Sequence, residues 1–192
     1  MNNVSDTLDV NLNMISLNVK GLNCFKKRNK LITWLSRRSP DIILLQETFS
    51  VDTVERKWRC EWKDYSDMYF SHGSNHSKGV MILLKYHLDY DVKDCLIDQN
   101  GRFIMVDIVI NDTAFVIVNA YAPTSNSPTD QAHFFTDINE MIQKFNSNGD
   151  KYVIVGGDMN ILMDLSLDRY GGNPKLNHNV MDQVDNLLES QD

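Results

Sequence analysis

Apolar positions along the chain recur with two different periods, and the changes of period mark out its elements. Leu12 to Val19 alternates around Leu12, Met14, Ile15, Leu17 and Val19 and ends at Lys20-Gly21, which predicts a short strand. Phe25 to Arg38 sets Leu31, Ile32, Trp34 and Leu35 on one side and basic residues on the other, which predicts an amphipathic helix closed by Pro40. Asp41 to Thr48 is an almost unbroken apolar run, the pattern of a strand covered on both faces. Val54, Trp58 and Trp62 then recur every four residues, so a short helix is expected there. Tyr65 to Phe70 and Gly79 to Lys85 read as neighbouring strands across a polar loop, while Leu88 to Ile97 is only loosely strand-like. Asn100-Gly101 and Asn111-Asp112 are turn signals that bracket the β-rich stretches Arg102 to Ile110 and Thr113 to Tyr121. Ser127-Pro128-Thr129-Asp130 offers an N-cap, a first-turn proline and a capping-box-like acid. Phe134, Ile138, Met141, Ile142 and Phe145 follow at helical spacing. Lys151 to Gly156 reads as another buried strand, and Val180 to Leu188 as a last helix.

Strands therefore follow one another in hairpin-like succession with helices interposed only now and then. That order disfavours a Rossmann alternation, and no GxGxxG or P-loop motif is present. It predicts an α+β fold: two mostly antiparallel sheets packed together with helices on the outer faces. Residues 1–11 read as a loose polar tail, and 12–192 as one domain.

Composition narrows the class without naming a function. At 192 residues, 42% hydrophobic and 23% charged, the chain suits a single globular domain rather than a disordered or collagenous one. No run approaches a membrane span, and the N-terminus lacks the basic start and apolar stretch of a signal peptide, so a nuclear or cytoplasmic, non-secreted protein is expected. The 3 cysteines, Cys24, Cys60 and Cys95, fit no zinc spacing and read as reduced thiols. A net charge of −7 argues weakly against nucleic acid, yet Lys20, Lys26, Lys27, Arg28, Lys30, Arg37 and Arg38 lie together with no acid among them. A solvated helix face explains such a run; a groove for a phosphodiester backbone is the sharper alternative.

Polar residues gather where the apolar strands end. Asn18 closes the first, Gln46-Glu47 the second, Asn119 and Tyr121 the third, and Gly157-Asp158-Met159-Asn160 the fourth. Four such ends at one edge would make a concave site of carboxylates, amides and a phenol, whose hard oxygens suit Mg²⁺ or Mn²⁺ rather than zinc. The glycines of GGDMN are expected to turn the backbone tightly and aim the acid and amide outward.

LNVKGLN, DIILLQET, VNAYAP and GGDMN, in that order, resemble the successive motifs of the endonuclease/exonuclease/phosphatase superfamily. SLNVKGLNCFKKRNKLITWLSRRSPDIILLQET and GGDMNILMDLSLDRYGG resemble the endonuclease domain of LINE-type non-LTR retrotransposons, over roughly Asn13 to Leu188. The resemblance implies a four-layered α/β/β/α sandwich. It implies that Glu47 and Asn18 hold Mg²⁺, with Mn²⁺ as a substitute, and that no small-molecule cofactor or membrane is involved. It further implies that Tyr121 hydrogen-bonds a phosphate oxygen, that Asp158 orients or deprotonates the attacking water, and that Asn160 supports the pentacovalent phosphate. Arg169 and Lys20 would contact DNA, and a reverse-transcriptase domain would share the parent polyprotein.

The family pattern continues into a final Ser-Asp-His that these 192 residues do not contain, and His72, His76, His87, His133 and His178 match it by no motif and read as surface residues. The domain is accordingly expected to be incomplete at its C-terminus, of marginal stability and of little nicking activity. Phe49, where many relatives carry histidine, is a smaller departure. Two other readings stand beside the nicking endonuclease. One is a cellular repair enzyme of apurinic or exonuclease type, or another phosphoesterase of the same superfamily. The other is a non-catalytic transposon-derived remnant or DNA-binding module.

Overall fold

The structure is a computed structural model that describes residues 11–124, 126–162 and 177–189. Two four-stranded sheets pack face to face. The first runs β1 (Met14–Asn18), β2 (Ile42–Gln46), β4 (Val80–Lys85), β3 (Ser66–Ser71), and the second runs β5 (Tyr90–Ile97), β6 (Phe103–Ile110), β7 (Thr113–Tyr121), β8 (Tyr152–Asp158). Pairing is antiparallel except at β1–β2 and β7–β8, each sheet's parallel pair. Helices α1 (Phe25–Arg38) and α2 (Asp52–Glu61) cover one outer face, and α3 (Pro128–Phe145) and α4 (His178–Glu189) the other. The layering is the predicted α/β/β/α sandwich.

Strand alternation divides the apolar side chains among three interlayer cores. On β2, Ile43 and Leu45 pack beneath α1 and α2, whereas Ile42 and Leu44 meet the opposite sheet. On β6, Phe103 and Met105 face α3, whereas Ile104, Val106, Ile108 and Ile110 face the first sheet. This is why DIILLQET carries no alternation: both faces are covered. A fully buried Leu or Ile contributes about 1.5–3 kcal/mol, so a strand with two apolar faces anchors two layers at once.

Several expectations need adjustment. Residues 1–10 of the expected 1–11 tail and the LDRYGG segment with Arg169 lie outside the described residues. Strand β8 is half-buried from Val153 to Asp158 and exposed at Tyr152, and among the described residues it pairs with β7 alone. Gly156 and Gly157 lie within β8 and make no turn. A Cβ on Gly156 would stand 2.5 Å from Leu44 Cδ1, and one on Gly157, at φ +142°, 1.9 Å from the Ala120 carbonyl oxygen. Close packing requires these glycines; the chain turns later, at Asn160, with φ +49°. Ser127 is the N-cap of α3 and Pro128 opens it, but the serine side chain makes no capping hydrogen bond. Asn111 and Asp112 both take positive φ, 47° and 61°, the geometry of a tight hairpin turn.

A candidate phosphodiesterase site at one edge of the sandwich

Register places the C-terminal ends of β1, β2, β7 and β8 at the same edge. Asn18 pairs with Gln46, and Tyr121 with Asp158. The two sheets are tied there by Asn119, which is fully buried on β7. Its Nδ2 donates to the carbonyls of Leu45 (3.0 Å) and Met81 (2.8 Å), and its Oδ1 accepts from Gln46 Nε2 at 2.7 Å. Gln46 Nε2 also donates to Ser16 Oγ at 3.1 Å, so the amide N–H groups of both side chains are spent inside the protein. Gln46 and Asn119 are a strut between sheets, one layer below the site.

Above the strut, one amide joins the two acids. Asn18 Nδ2 donates to Glu47 Oε1 and to Asp158 Oδ2, both at 2.8 Å, so those oxygens lie within twice that distance of each other. Tyr121 donates its hydroxyl to the same Glu47 Oε1 at 2.9 Å. Burial, then the hydrogen bond and charge of Glu47, push that phenol up to about 12, so it remains a donor at neutral pH. Asp158 Oδ1 accepts from the Asn160 backbone N–H at 3.2 Å, and Asn160 Nδ2 donates to the Ala122 carbonyl at 2.9 Å. The structure therefore brings Asn18, Glu47, Tyr121, Asp158 and Asn160 together. Lys20 stands exposed just beyond, its N–H donating to Asn18 Oδ1 at 3.1 Å.

Backbone strain concentrates at this edge. Glu47 and Asn160 have φ of 51° and 49°, a left-handed conformation uncommon for non-glycine residues and typical of sites where geometry is imposed from outside. The donor set fits a hard divalent cation. Glu47 Oε2 has no hydrogen-bond partner among the described residues, while its other oxygen takes the Asn18 amide N–H and the Tyr121 hydroxyl, and the same amide holds the Asp158 carboxylate alongside. No group of three His, Cys, Asp or Glu gathers for a metal among the described residues. An ion with few protein ligands and several retained waters, as Mg²⁺ prefers, suits such a site.

Two contributors were missed in the sequence. Arg102 Nη1 donates to the carbonyls of Tyr121 (3.2 Å) and Ala122 (3.1 Å), and its guanidinium lies 5.1 Å from the Tyr121 ring centre. Gln131 Nε2 donates to the carbonyls of Pro123 (2.9 Å) and Asn160 (2.8 Å). Gln131 occupies an inward position in the apolar stripe of α3, three residues before Phe134, and a buried polar residue in such a stripe was the available signal. His72 also departs from its surface reading: its ring is 18% exposed and bonds Ser50 Oγ at 3.1 Å and Glu55 Oε2 at 3.0 Å. His87 bonds Asp41 Oδ1 at 2.6 Å. No histidine takes part in the hydrogen bonds that join the site residues among the described residues.

The basic run divides. Arg28 is 1% exposed and forms a two-pronged ion pair with Glu61, through Nε at 2.6 Å and Nη2 at 2.8 Å, so it belongs to the core. Lys27 donates to the carbonyls of Val19 and Lys20 at 2.5 and 3.0 Å. Neither is a free member of a helix-borne DNA face. No helix among the described residues is long and apolar enough to cross a membrane.

Comparison with known proteins agrees with this architecture. The profile of the Endonuclease/Exonuclease/phosphatase family matches residues 11–187. A Xenopus laevis protein described as the transposon TX1 uncharacterized 149 kDa protein is 26% identical over 153 residues, which is 80% of this chain and 11% of that protein. The chain thus spans about a ninth of the length of that relative. The fold is similar to crystal structures of TDP2. The D. rerio protein complexed with a single-strand DNA product superimposes with a TM-score of 0.63 at 17% identity, over 79% of this chain and 61% of that one. The C. elegans protein gives 0.62 at 17% identity, over 83% and 51%.

Proposed function

The chain belongs to the endonuclease/exonuclease/phosphatase family, and from that premise we propose that it is a Mg²⁺-dependent DNA phosphodiesterase domain, a nicking endonuclease of the kind found in LINE-type retrotransposons. The observation that carries this reading is the single amide of Asn18 holding Glu47 and Asp158 side by side, with the Tyr121 phenol on the same Glu47 oxygen. The transposon protein of Xenopus laevis, of which the match covers 11%, supports a transposon origin within a longer polyprotein, to which the proposal adds a reverse-transcriptase domain. The single-strand DNA product held by the D. rerio neighbour supports DNA as substrate.

In this proposal Glu47 Oε2 and Asn18 hold the ion. Bound there, Mg²⁺ would supply Lewis-acid chemistry, offsetting phosphate charge and favouring both the ionisation of water and the departure of the 3′-oxygen. Asp158 accepts the proton of the attacking water as that water's oxygen bonds to phosphorus and the bond to the 3′-oxygen breaks. Tyr121 turns its hydroxyl donor to a non-bridging oxygen, and Asn160 meets the charge that accumulates on the pentacovalent phosphate. Lys20 contacts the DNA backbone, as does Arg169.

Glu47→Gln keeps the side chain's shape and removes its charge, so it should weaken Mg²⁺ or Mn²⁺ binding at least tenfold and abolish measurable plasmid nicking while the melting temperature holds. Calorimetric titration of Mg²⁺, run beside a supercoiled-plasmid assay, measures both. Unchanged ion affinity would remove Glu47 from the site.

A further inference from the structure

Two Lys-Gly dipeptides flank the loop that carries Glu47, and both take left-handed φ angles at both residues. Lys20-Gly21 has φ of 47° and 84°; Lys78-Gly79 has φ of 61° and 84°. Both grip the same loop through the backbone. On one side Gly21 N–H donates to the Glu47 carbonyl at 2.6 Å and Leu22 N–H to the Thr48 carbonyl at 2.9 Å. On the other, Thr48 N–H donates to the Gly79 carbonyl at 2.9 Å and Phe49 N–H to the Lys78 carbonyl at 3.0 Å.

The glycines are explained by packing. A Cβ on Gly21 would meet the Phe49 ring at 2.6 Å, and one on Gly79 would meet Thr48 Oγ1 at 2.6 Å. The lysines are not. A left-handed backbone favours Gly, Asn or Asp; the backbones of both lysines are held by hydrogen bonds, but nothing there calls for a lysine side chain. Lys20 is exposed and Lys78 partly so, and neither forms an ion pair among the described residues. Lysines at left-handed backbone positions, with ammonium groups that no ion pair engages among the described residues, stand on either side of a proposed phosphate site and are available to a ligand there.

We infer that Lys20 and Lys78 form a two-pronged clamp on the DNA backbone, one ammonium on each side of the Glu47 loop, gripping phosphates that flank the scissile one. The inference rests on the proposed function and adds to it a second prong on the 72–79 loop, tied to the first by the Asn23 Nδ2 bond to the Asn75 carbonyl at 2.9 Å.

The test is the salt dependence of binding to a short fluorescein-labelled DNA duplex, followed by anisotropy in EDTA so that nothing is cut. Asparagine tolerates the left-handed backbone, so Lys20→Asn and Lys78→Asn remove charge while the melting temperature stays level or rises. Each should lower the slope of log affinity against log salt by about 0.9, and the pair by about twice that. Lys78→Arg should retain the slope, as should Lys144→Asn on the far helix α3. Normal salt-dependent binding with unchanged slopes in both Asn variants would overturn the clamp and leave the nuclease reading standing. No binding by the unmodified chain at low salt would overturn both.

Discussion

Tyr121 shows how one side chain can belong to a site and to the stability of the fold at once. Its phenol and that of Tyr65 are both pushed up to about 12 by burial, Glu47 adding to the effect at Tyr121, and the Tyr90 phenol is raised in the same direction by burial and by Asp67. An unfolded tyrosine titrates near pH ~10. Between those values the unfolded chain releases protons that the native chain keeps, so stability present below pH ~10 declines as pH climbs toward 12. Urea melts at rising alkaline pH should show this, and Tyr121→Phe should flatten part of the decline. In the proposed chemistry the same substitution removes a phosphate donor and should slow nicking by about 10²-fold. Gly157 makes a complementary case. Alanine there would force its Cβ to 1.9 Å from the Ala120 oxygen, so Gly157→Ala should part β7 from β8 and lower stability by at least about 2 kcal/mol in denaturant titration. A Gly157→Ala protein that melted like the parent would show that β8 can move aside freely. In the sequence, GGD announces that something cannot bear a side chain; only the paired strand says what.

Helices and strands were legible where their surroundings are simple. The stripes of α1 and α3 and the unbroken run of β2 each follow from which faces are covered, and the structure returns them within a few residues. Partnering was not legible, because it depends on elements distant in sequence. The basic run of α1 looked uniform, yet Arg28 turns inward to Glu61 on α2, 33 residues away, and stacks 5.3 Å from the Trp58 ring centre. Its Nη1 also donates to the carbonyls of Leu22 and Asn23 at 2.7 and 2.9 Å, so one guanidinium fixes α1, α2 and the loop below Lys20. Removing one partner of such a pair leaves a buried charge alone, a loss of about 3–5 kcal/mol. Arg28→Met and Glu61→Gln should each destabilise by that order, and Arg28→Lys should recover little, since an ammonium cannot span both carboxylate oxygens and two carbonyls. Thermal melts of the three variants decide it: a Lys variant as stable as the parent would reduce the pair to a point charge.

At the scale of the whole molecule, the site exists because two sheets are held in one relative position. Glu47 and Asn18 come from the first sheet, Tyr121 and Asp158 from the second, and no covalent connection fixes their spacing. The motifs could be read in order from the sequence, and the hardness of their oxygens pointed to a divalent ion, but the means of registering the sheets could not. Asn119 in VNAYAP reads as one more strand-end polar residue. In the structure it is fully buried, and its amide answers the carbonyls of Leu45 and Met81 and the side chain of Gln46, all on the opposite sheet. Replacing it with leucine would keep the volume and remove three buried hydrogen bonds, each worth about 1 kcal/mol net. Asn119→Leu should therefore lower stability by about 3 kcal/mol or more, a change readable as a shift in denaturation midpoint. The sheets should also relax apart at this edge, lengthening the contact between Tyr121 and Glu47. The Tyr121 phenol would then lose its neighbouring carboxylate and titrate closer to its ordinary value, which ¹³C NMR of labelled tyrosine resolves from global unfolding. Asn119→Asp is the sharper version, because it exchanges a donor for a second acceptor facing two carbonyls and should be worse than leucine. If both variants kept the Tyr121 titration of the parent, the strut would be incidental, and the apolar packing of Ile42, Leu44, Ile104 and Ile117 between the sheets would suffice to align the site.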